Sequence, residues 1–388
     1  MKELQLFIIW ENAQYKRNEI LADIENTFKN VKIFNIKWND EYFSSNLTRF
    51  YGTNLPKNSF KEKECGMGRF SLVLVEDDNP LYEERETISR GLETVNTKMF
   101  DAKSKYRKWT GGGHKIHATN SIKETKHDLM LLLGKDYDGF INQTNKDDLG
   151  EINLDTNLLG CIQWNSLEEL FKVLNESINY VVLRNFDGMP NQYYLDSHGD
   201  IDILTDDLEN IIHLVNAKPV FKEKYRVHFS VKINNFLVRF DFRYVGDNYY
   251  DKKWQENILD TRELYNNSFY IPNKENYTYS LIYHALIHKE KLGVDYHKRI
   301  STLIHESDIH IILEKLKDYL KNNGYNFSEP KDLTVFYNYK LLNYSISKKR
   351  ELFYIYLNMR KNLSFLKIIL LLVKKKLKRI IKWVLLIK

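Results

Sequence analysis

The chain has 388 residues, 43% hydrophobic and 28% charged, with only 16 Gly and 6 Pro. That is enough to bury a core in two or three domains, and it leaves little room for long disordered linkers. The net charge of +6 has one source: residues 361–388 hold nine Lys and Arg and no acid, so the remainder is 6 − 9 = −3. A general nucleic-acid-binding surface is thereby excluded, and DNA is not an expected partner.

Residues 1–145 read as an N-terminal α/β domain. Leu6–Trp10 is a strand, Ala13–Phe28 a helix, Val31–Trp38 a second strand and Phe70–Val75 a third. The opening MKELQLFIIWENAQ turns polar after one short apolar run, so a signal peptide is not expected and a cytoplasmic location is. Cys65 and Cys161 stand far apart in no metal-binding pattern and read as reduced, structural thiols. A polar run from Arg90 to Leu129 follows the third strand, and a polar linker, Asn145–Asn157, closes the domain.

Within the polar run lies Trp109-Thr110-Gly111-Gly112-Gly113-His114-Lys115-Ile116-His117. Three glycines let backbone N–H groups converge on an anion, and Arg107, His114, Lys115 and His117 supply positive charge. Ser121 to Glu124 forms a capping box, which brings a helix N-terminus near the same place. Gly111, Gly112, Gly113 and the four basic residues are therefore candidates for phosphate binding. The Walker spacing is absent. The stretch faintly resembles the Gly-Gly-x-His-Arg loop of the ParB/sulfiredoxin phosphate-binding fold.

Residues 158–275 form a second domain. Ser166-Leu167-Glu168-Glu169 is a capping box opening a helix to Asn175, and Tyr180–Arg184 is a strand. HGDIDILTDD (His198–Asp207) reads as a buried strand that runs into a helix, Asp206–Val215, at whose start Asp206 and Asp207 act as caps. Tyr225–Ile233 and Phe236–Tyr244 make a hairpin around Asn234-Asn235. Residues 276–360 are helical, with helices over Tyr277–Lys291, Ile309–Asn322 and from Leu333 onward; His284 and His288 there read as core or rim residues. Residues 361–388 form a helix basic on one side and apolar on the other, too interrupted by charge to span a bilayer. It suits the surface of an anionic membrane.

The chemistry gathers at three aspartates. Alternate residues of a strand share a face, so Asp200 and Asp202 project together while Ile201 and Ile203 pack behind. Two such carboxylates repel unless a cation joins them, and Mg²⁺ or Mn²⁺ prefers oxygen ligands. Asp241 in Val238-Arg239-Phe240-Asp241-Phe242-Arg243 offers a third.

A helix, a strand, an Asp-x-Asp strand and a later strand with one Asp together resemble the nucleotidyltransferase superfamily of the polymerase-beta type, over roughly residues 160–290. The resemblance implies α/β plus α+β architecture, with a central mixed sheet and flanking helices. It also implies that Asp200, Asp202 and Asp241 bind metal and are catalytic. In that superfamily a small-residue pair after the first strand contacts the phosphates; here Arg184-Asn185 stands there instead, and Ser197-His198-Gly199 precedes the Asp pair. Arg184, Ser197, Gly199 and Arg243 are accordingly the nucleotide- and phosphate-binding candidates. The implied activity is a Mg²⁺-dependent nucleotidyl- or phosphotransferase at the cytoplasmic membrane face. Its donor would be a nucleotide triphosphate or a nucleotide-activated alcohol or sugar. Its acceptor would be a glycan or lipid-linked glycan of the cell surface, the role that the LicD and fukutin types play. Transfer to tRNA or protein, or a non-catalytic membrane-recruitment module, are the alternatives.

Overall fold

A computed structural model describes residues 2–87, 91–143, 150–191, 193, 199–223 and 225–360. The chain forms two compact units, Met1–Gly246 with Lys252–Tyr277, and Asp247–Asp251 with Thr278–Lys388. It is a mixed α and β protein of α+β character.

The first unit opens with β1 (Glu3–Ile9), α1 (Arg17–Thr27) and β2 (Lys29–Lys37). Next come α2 (Phe43–Tyr51), α3 (Phe60–Cys65), β3 (Phe70–Asp77), and a hairpin of β4 (Tyr82–Thr87) and β5 (Gly91–Asn96). Then follow α4 (Thr97–Trp109), β6 (Ile116–Ala118), α5 (Ile122–Leu133), α6 (Tyr137–Gln143) and β7 (Glu151–Asp155). Strands pair in the order β6-β1-β3-β2-β7. Side chains alternate across β1: Leu4, Leu6 and Ile8 enter one core, Phe7 and Ile9 the other. Ile20, Leu21 and Ile24 of α1 and Met99 and Tyr106 of α4 cover the second face.

The polar run and the polar linker both contain regular elements among their described residues. The run contains β5, α4, β6 and the start of α5, and the linker contains β7, which pairs in parallel with β2 at the sheet edge.

A second sheet in the same unit is built from α7 (Leu167–Ser177), β8 (Tyr180–Val182), β9 (Ile201–Thr205) and α8 (Leu208–Leu214). β10 (Lys218–Pro219), β11 (His228–Ile233) and β12 (Phe236–Tyr244) complete it, in the order β10-β11-β12-β9-β8. β8 runs antiparallel to β9, β9 parallel to β12, and β12 antiparallel to β11. The expected hairpin forms around Asn234 (φ 45°) and Asn235 (φ 68°), both left-handed, as a two-residue β-turn matched to strand twist requires. α9 (Lys252–Asp260) and a short hairpin of β13 (Glu263–Tyr265) and β14 (Phe269–Ile271) finish the unit.

The two sheets share one apolar core. α5 packs on α7 and α2 on α8. Arg49 of α2 is buried at this seam. Its guanidinium donates to Leu214 O at the end of α8 (3.1 and 2.9 Å) and to Leu159 O, and it lies 5.5 Å from the Trp164 ring.

α10 (Lys274–Ile287) runs from the first unit into the second, which also holds α11 (Val294–Ile304), α12 (Ile309–Asn322), α13 (Tyr339–Leu342) and a helical stretch over 348–360. Buried Tyr249 and Tyr250 pack there with His284 and His288, and the Tyr249 hydroxyl meets His284 Nδ1 at 2.6 Å. These are core residues, as expected of the two histidines. The basic segment 361–388 lies outside the described residues. No helix among the described residues is long and apolar enough to cross a membrane.

Candidate functional site

β9 is the spine of the candidate site. Ile201, Ile203 and Leu204 are buried, so the strand is covered on both faces and Asp202 is carried into the interior. Parallel pairing with β12 sets Asp202 directly opposite Asp241, and antiparallel pairing with β11 sets His228 opposite Asp241. Three polar side chains thus stand side by side across three neighbouring strands. Asp200 precedes β9 and is exposed.

Two arginines hold these carboxylates. Arg184, two residues past β8, donates through Nη2 to Asp202 Oδ1 at 2.6 Å, with both residues buried. The Leu183 N–H bonded to the Asp202 carbonyl at 2.8 Å fixes the approach of that segment. Arg243 Nη2 lies 3.6 Å from Asp241 Oδ2, and His228 Nε2 lies 3.6 Å from Asp241 Oδ1. Buried Asp241 Oδ1 has no hydrogen-bond partner among the described residues. Burial raises the Asp241 carboxyl above its ordinary value; Asp202 and Asp200 push it the same way, while Arg243 and His228 oppose.

Among the described residues no group of three or more His, Cys, Asp and Glu stands close enough to hold a metal ion. The Asp202–Asp241 pair nevertheless suits one cation. Asp202 already accepts a guanidinium, and Asp241 keeps one buried oxygen without a hydrogen bond. Asp200, the third expected ligand, stands apart at the exposed end. Gly199 is exposed and its carbonyl accepts from the Tyr193 hydroxyl at 2.9 Å; Ser197 lies outside the described residues. Asp207 caps α8 through the Asn210 N–H at 3.1 Å, while Asp206 accepts from Asn179 Nδ2 at 3.2 Å instead of capping.

The N-terminal candidates divide. Gly111, Gly112 and Gly113 all take positive φ, but their loop does not form an anion cradle. The Gly111 and Gly112 N–H groups close the end of α4 on the Lys108 and Arg107 carbonyls, and the His114 N–H donates to Glu64 Oε2 at 2.6 Å. Lys115 Nζ ties the loop to the Thr110 carbonyl at 2.7 Å. A Cβ at Gly113 would stand 2.0 Å from Glu64 Oε2, so the close approach of that carboxylate requires glycine. Those N–H groups and Lys115 serve the loop itself, which the sequence alone could not reveal.

Arg107, His114 and His117, by contrast, gather with Lys61 of α3. Burial lowers the Lys61 ammonium to about 8, and Arg107 adds to that. Burial also lowers His114, with Lys61 and Arg107 adding to it. Lys61 Nζ sits 3.1 Å from the Tyr51 ring centroid. Burial holds the His117 imidazole neutral, lowered to about 3, and its Nε2 meets Asp128 Oδ2 at 2.7 Å. Lys61 and Asp128 were missed in sequence because each sits on a helix that also carries an exposed charge, Lys63 and Lys123 respectively, with nothing local to set it apart.

No family model matches the chain, and no curated protein matches it. Among solved structures, a nucleoside diphosphate kinase from Aquifex aeolicus aligns at 17% identity, over 33% of this chain and 93% of that one, with a TM-score of 0.23. A superposition at that TM-score carries no weight for fold or activity.

Proposed function

We propose that the first unit is a divalent-metal-dependent nucleotidyl- or phosphotransferase serving the assembly of cell-surface glycans at the cytoplasmic face of the membrane. The observation that carries this is the register of Asp202 and Asp241, buried side by side on neighbouring parallel strands, with Asp200 exposed just before β9. Asp202 and Asp241 would hold Mg²⁺ or Mn²⁺, with Asp200 joining on substrate entry, and the ion would neutralise phosphate charge. Arg184 and Arg243 supply the phosphate-directed cations; a guanidinium binds phosphate in a fork, so Arg184 exchanges its Asp202 partner for the donor. Asp241 would accept the acceptor hydroxyl's proton. The basic C-terminal segment would supply membrane attachment.

The test is metal-dependent transfer from CTP, ATP or a CDP-alcohol by the full chain and by Asp202→Asn. The variant should lose at least about a hundredfold in rate while keeping its thermal unfolding profile. Undiminished transfer by a folded Asp202→Asn would sink the proposal.

A second reading, favoured by Lys61, concerns the N-terminal sheet. Lys61 is half-buried and has no carboxylate partner among the described residues, beside Arg107 and His114. Half-buried cations grouped in this way favour an anion beyond the nearby Glu64 carboxylate, so this group is read as a phosphate site. Its affinity for inorganic phosphate should fall as pH rises through about 8, where Lys61 loses its charge. Calorimetry at pH 7 and pH 9, with Lys61→Met as control, measures it; equal affinity at both pH values would refute it.

A further inference from the structure

A cavity of about 370 Å³ opens at the other end of β9, where the two sheets of the first unit meet. That volume lies within the range of small-molecule sites, about 300–1,000 Å³. Its lining is unusual in being rich in acceptors. Asn179 Oδ1 and Asn210 Oδ1 are buried and have no hydrogen-bond partner among the described residues. The Asn179 carboxamide is oriented, since its Nδ2 donates to Asp206. His117 adds a third acceptor: its Nε2–H is engaged by Asp128, which leaves Nδ1 of the neutral ring with a lone pair. Glu124, Asp128, Asp206 and Asp207 line the cavity against one lysine, Lys123, and two histidines, His117 and His127, and Phe50 and Tyr51 contribute aromatic wall.

Buried acceptors without donors are costly, and a ligand that brings hydroxyl groups removes the cost. The excess of carboxylates disfavours an anion there, and aromatic rings favour the C–H face of a sugar. We infer that this cavity binds a small, uncharged polyhydroxylated molecule, a monosaccharide or sugar alcohol, with its hydroxyls donating to Asn179, Asn210 and His117. Gly52 belongs to the design: a Cβ there would stand 2.4 Å from Asn210 Oδ1. The site is separate from the Asp202–Asp241 pair. Asp206 stands one residue past β9 and four past Asp202, roughly 13 Å along extended chain, so the inference does not rest on the transferase reading.

Saturation-transfer NMR and calorimetry of the full chain with ribitol and with glucose test it. At least one of the two should bind saturably. Asn210→Ala and His117→Phe should each weaken binding about tenfold, the loss of one hydrogen bond. Asn210→Asp, which keeps an acceptor in the same shape, should retain binding and serves as the folded control. Asp202→Asn should leave binding unchanged, which separates this site from the carboxylate pair. Absence of saturable binding by both probes, or binding that survives Asn210→Ala and His117→Phe together, overturns the inference.

Discussion

Asp241 is the residue whose chemistry and stability pull in opposite directions. In the unfolded chain its carboxyl has the ordinary value; in the folded chain burial raises it. The folded state therefore holds that proton more tightly, and this contribution is fully present at low pH and is lost as pH rises through the raised value. At neutral pH the ionised Asp241 is a net cost. Asp241→Asn should therefore raise the unfolding temperature at pH 7.5 by a few degrees, about 1 kcal/mol, while abolishing transfer. Near pH 4 the gain should vanish. Thermal unfolding of both proteins at the two pH values decides it; a variant no more stable at pH 7.5 would show that Asp241 is simply a structural ion-pair partner.

At the scale of elements, the β11–β12 hairpin shows how local chemistry sets register. Asn234 and Asn235 both occupy left-handed backbone, and the Asn234 N–H donates to the Trp164 carbonyl at 2.8 Å. A register slip by one residue would turn Asp241 to the opposite face. Asn235→Gly should preserve or slightly raise stability, because glycine takes positive φ without strain, whereas Asn235→Val should cost about 1–2 kcal/mol. Urea unfolding measures both, and equal stability of Gly and Val variants would refute the turn argument.

The same hairpin was legible in sequence, as were the caps at Ser166 and Ser121, whose hydroxyls accept from Glu169 and Glu124 N–H groups at 3.1 and 3.3 Å. These signals are local, so spacing alone reveals them. The Asp202–Asp241 pairing was legible because both residues sit in apolar strands. β7 was not: its residues alternate between exposed and half-buried at a sheet edge, which reads as polar linker. α4 was hidden because six of its thirteen residues are charged while only Met99, Ala102 and Tyr106 give it apolar buried side chains. Lys61 escaped notice because nothing in FKEKEC distinguishes a buried lysine from its solvated neighbour.

For the whole first unit, Arg49 is the residue that ties one sheet to the other. Its guanidinium satisfies carbonyls at the end of α8 and in the segment before α7, and burial lowers it to about 10. A cation at a helix C-terminus also meets the negative end of the helix dipole. Arg49→Met should destabilise the unit by about 3 kcal/mol, because two carbonyls lose their donor at once. Arg49→Lys should recover less than half, since an ammonium cannot fork between two carbonyls. Urea unfolding measures both; full rescue by lysine would mean that charge alone suffices.

The seam has a practical meaning for anyone wishing to divide the molecule. The polar stretch near residues 145–157 invites a cut, yet β7 within it belongs to the first sheet, and α5 before it packs on α7 of the second. A fragment ending there would strip Arg49 of the Leu159 and Leu214 carbonyls it serves and leave an oily helix face uncovered. The halves are better treated as spliced partners, expressed and studied together, than as separable modules.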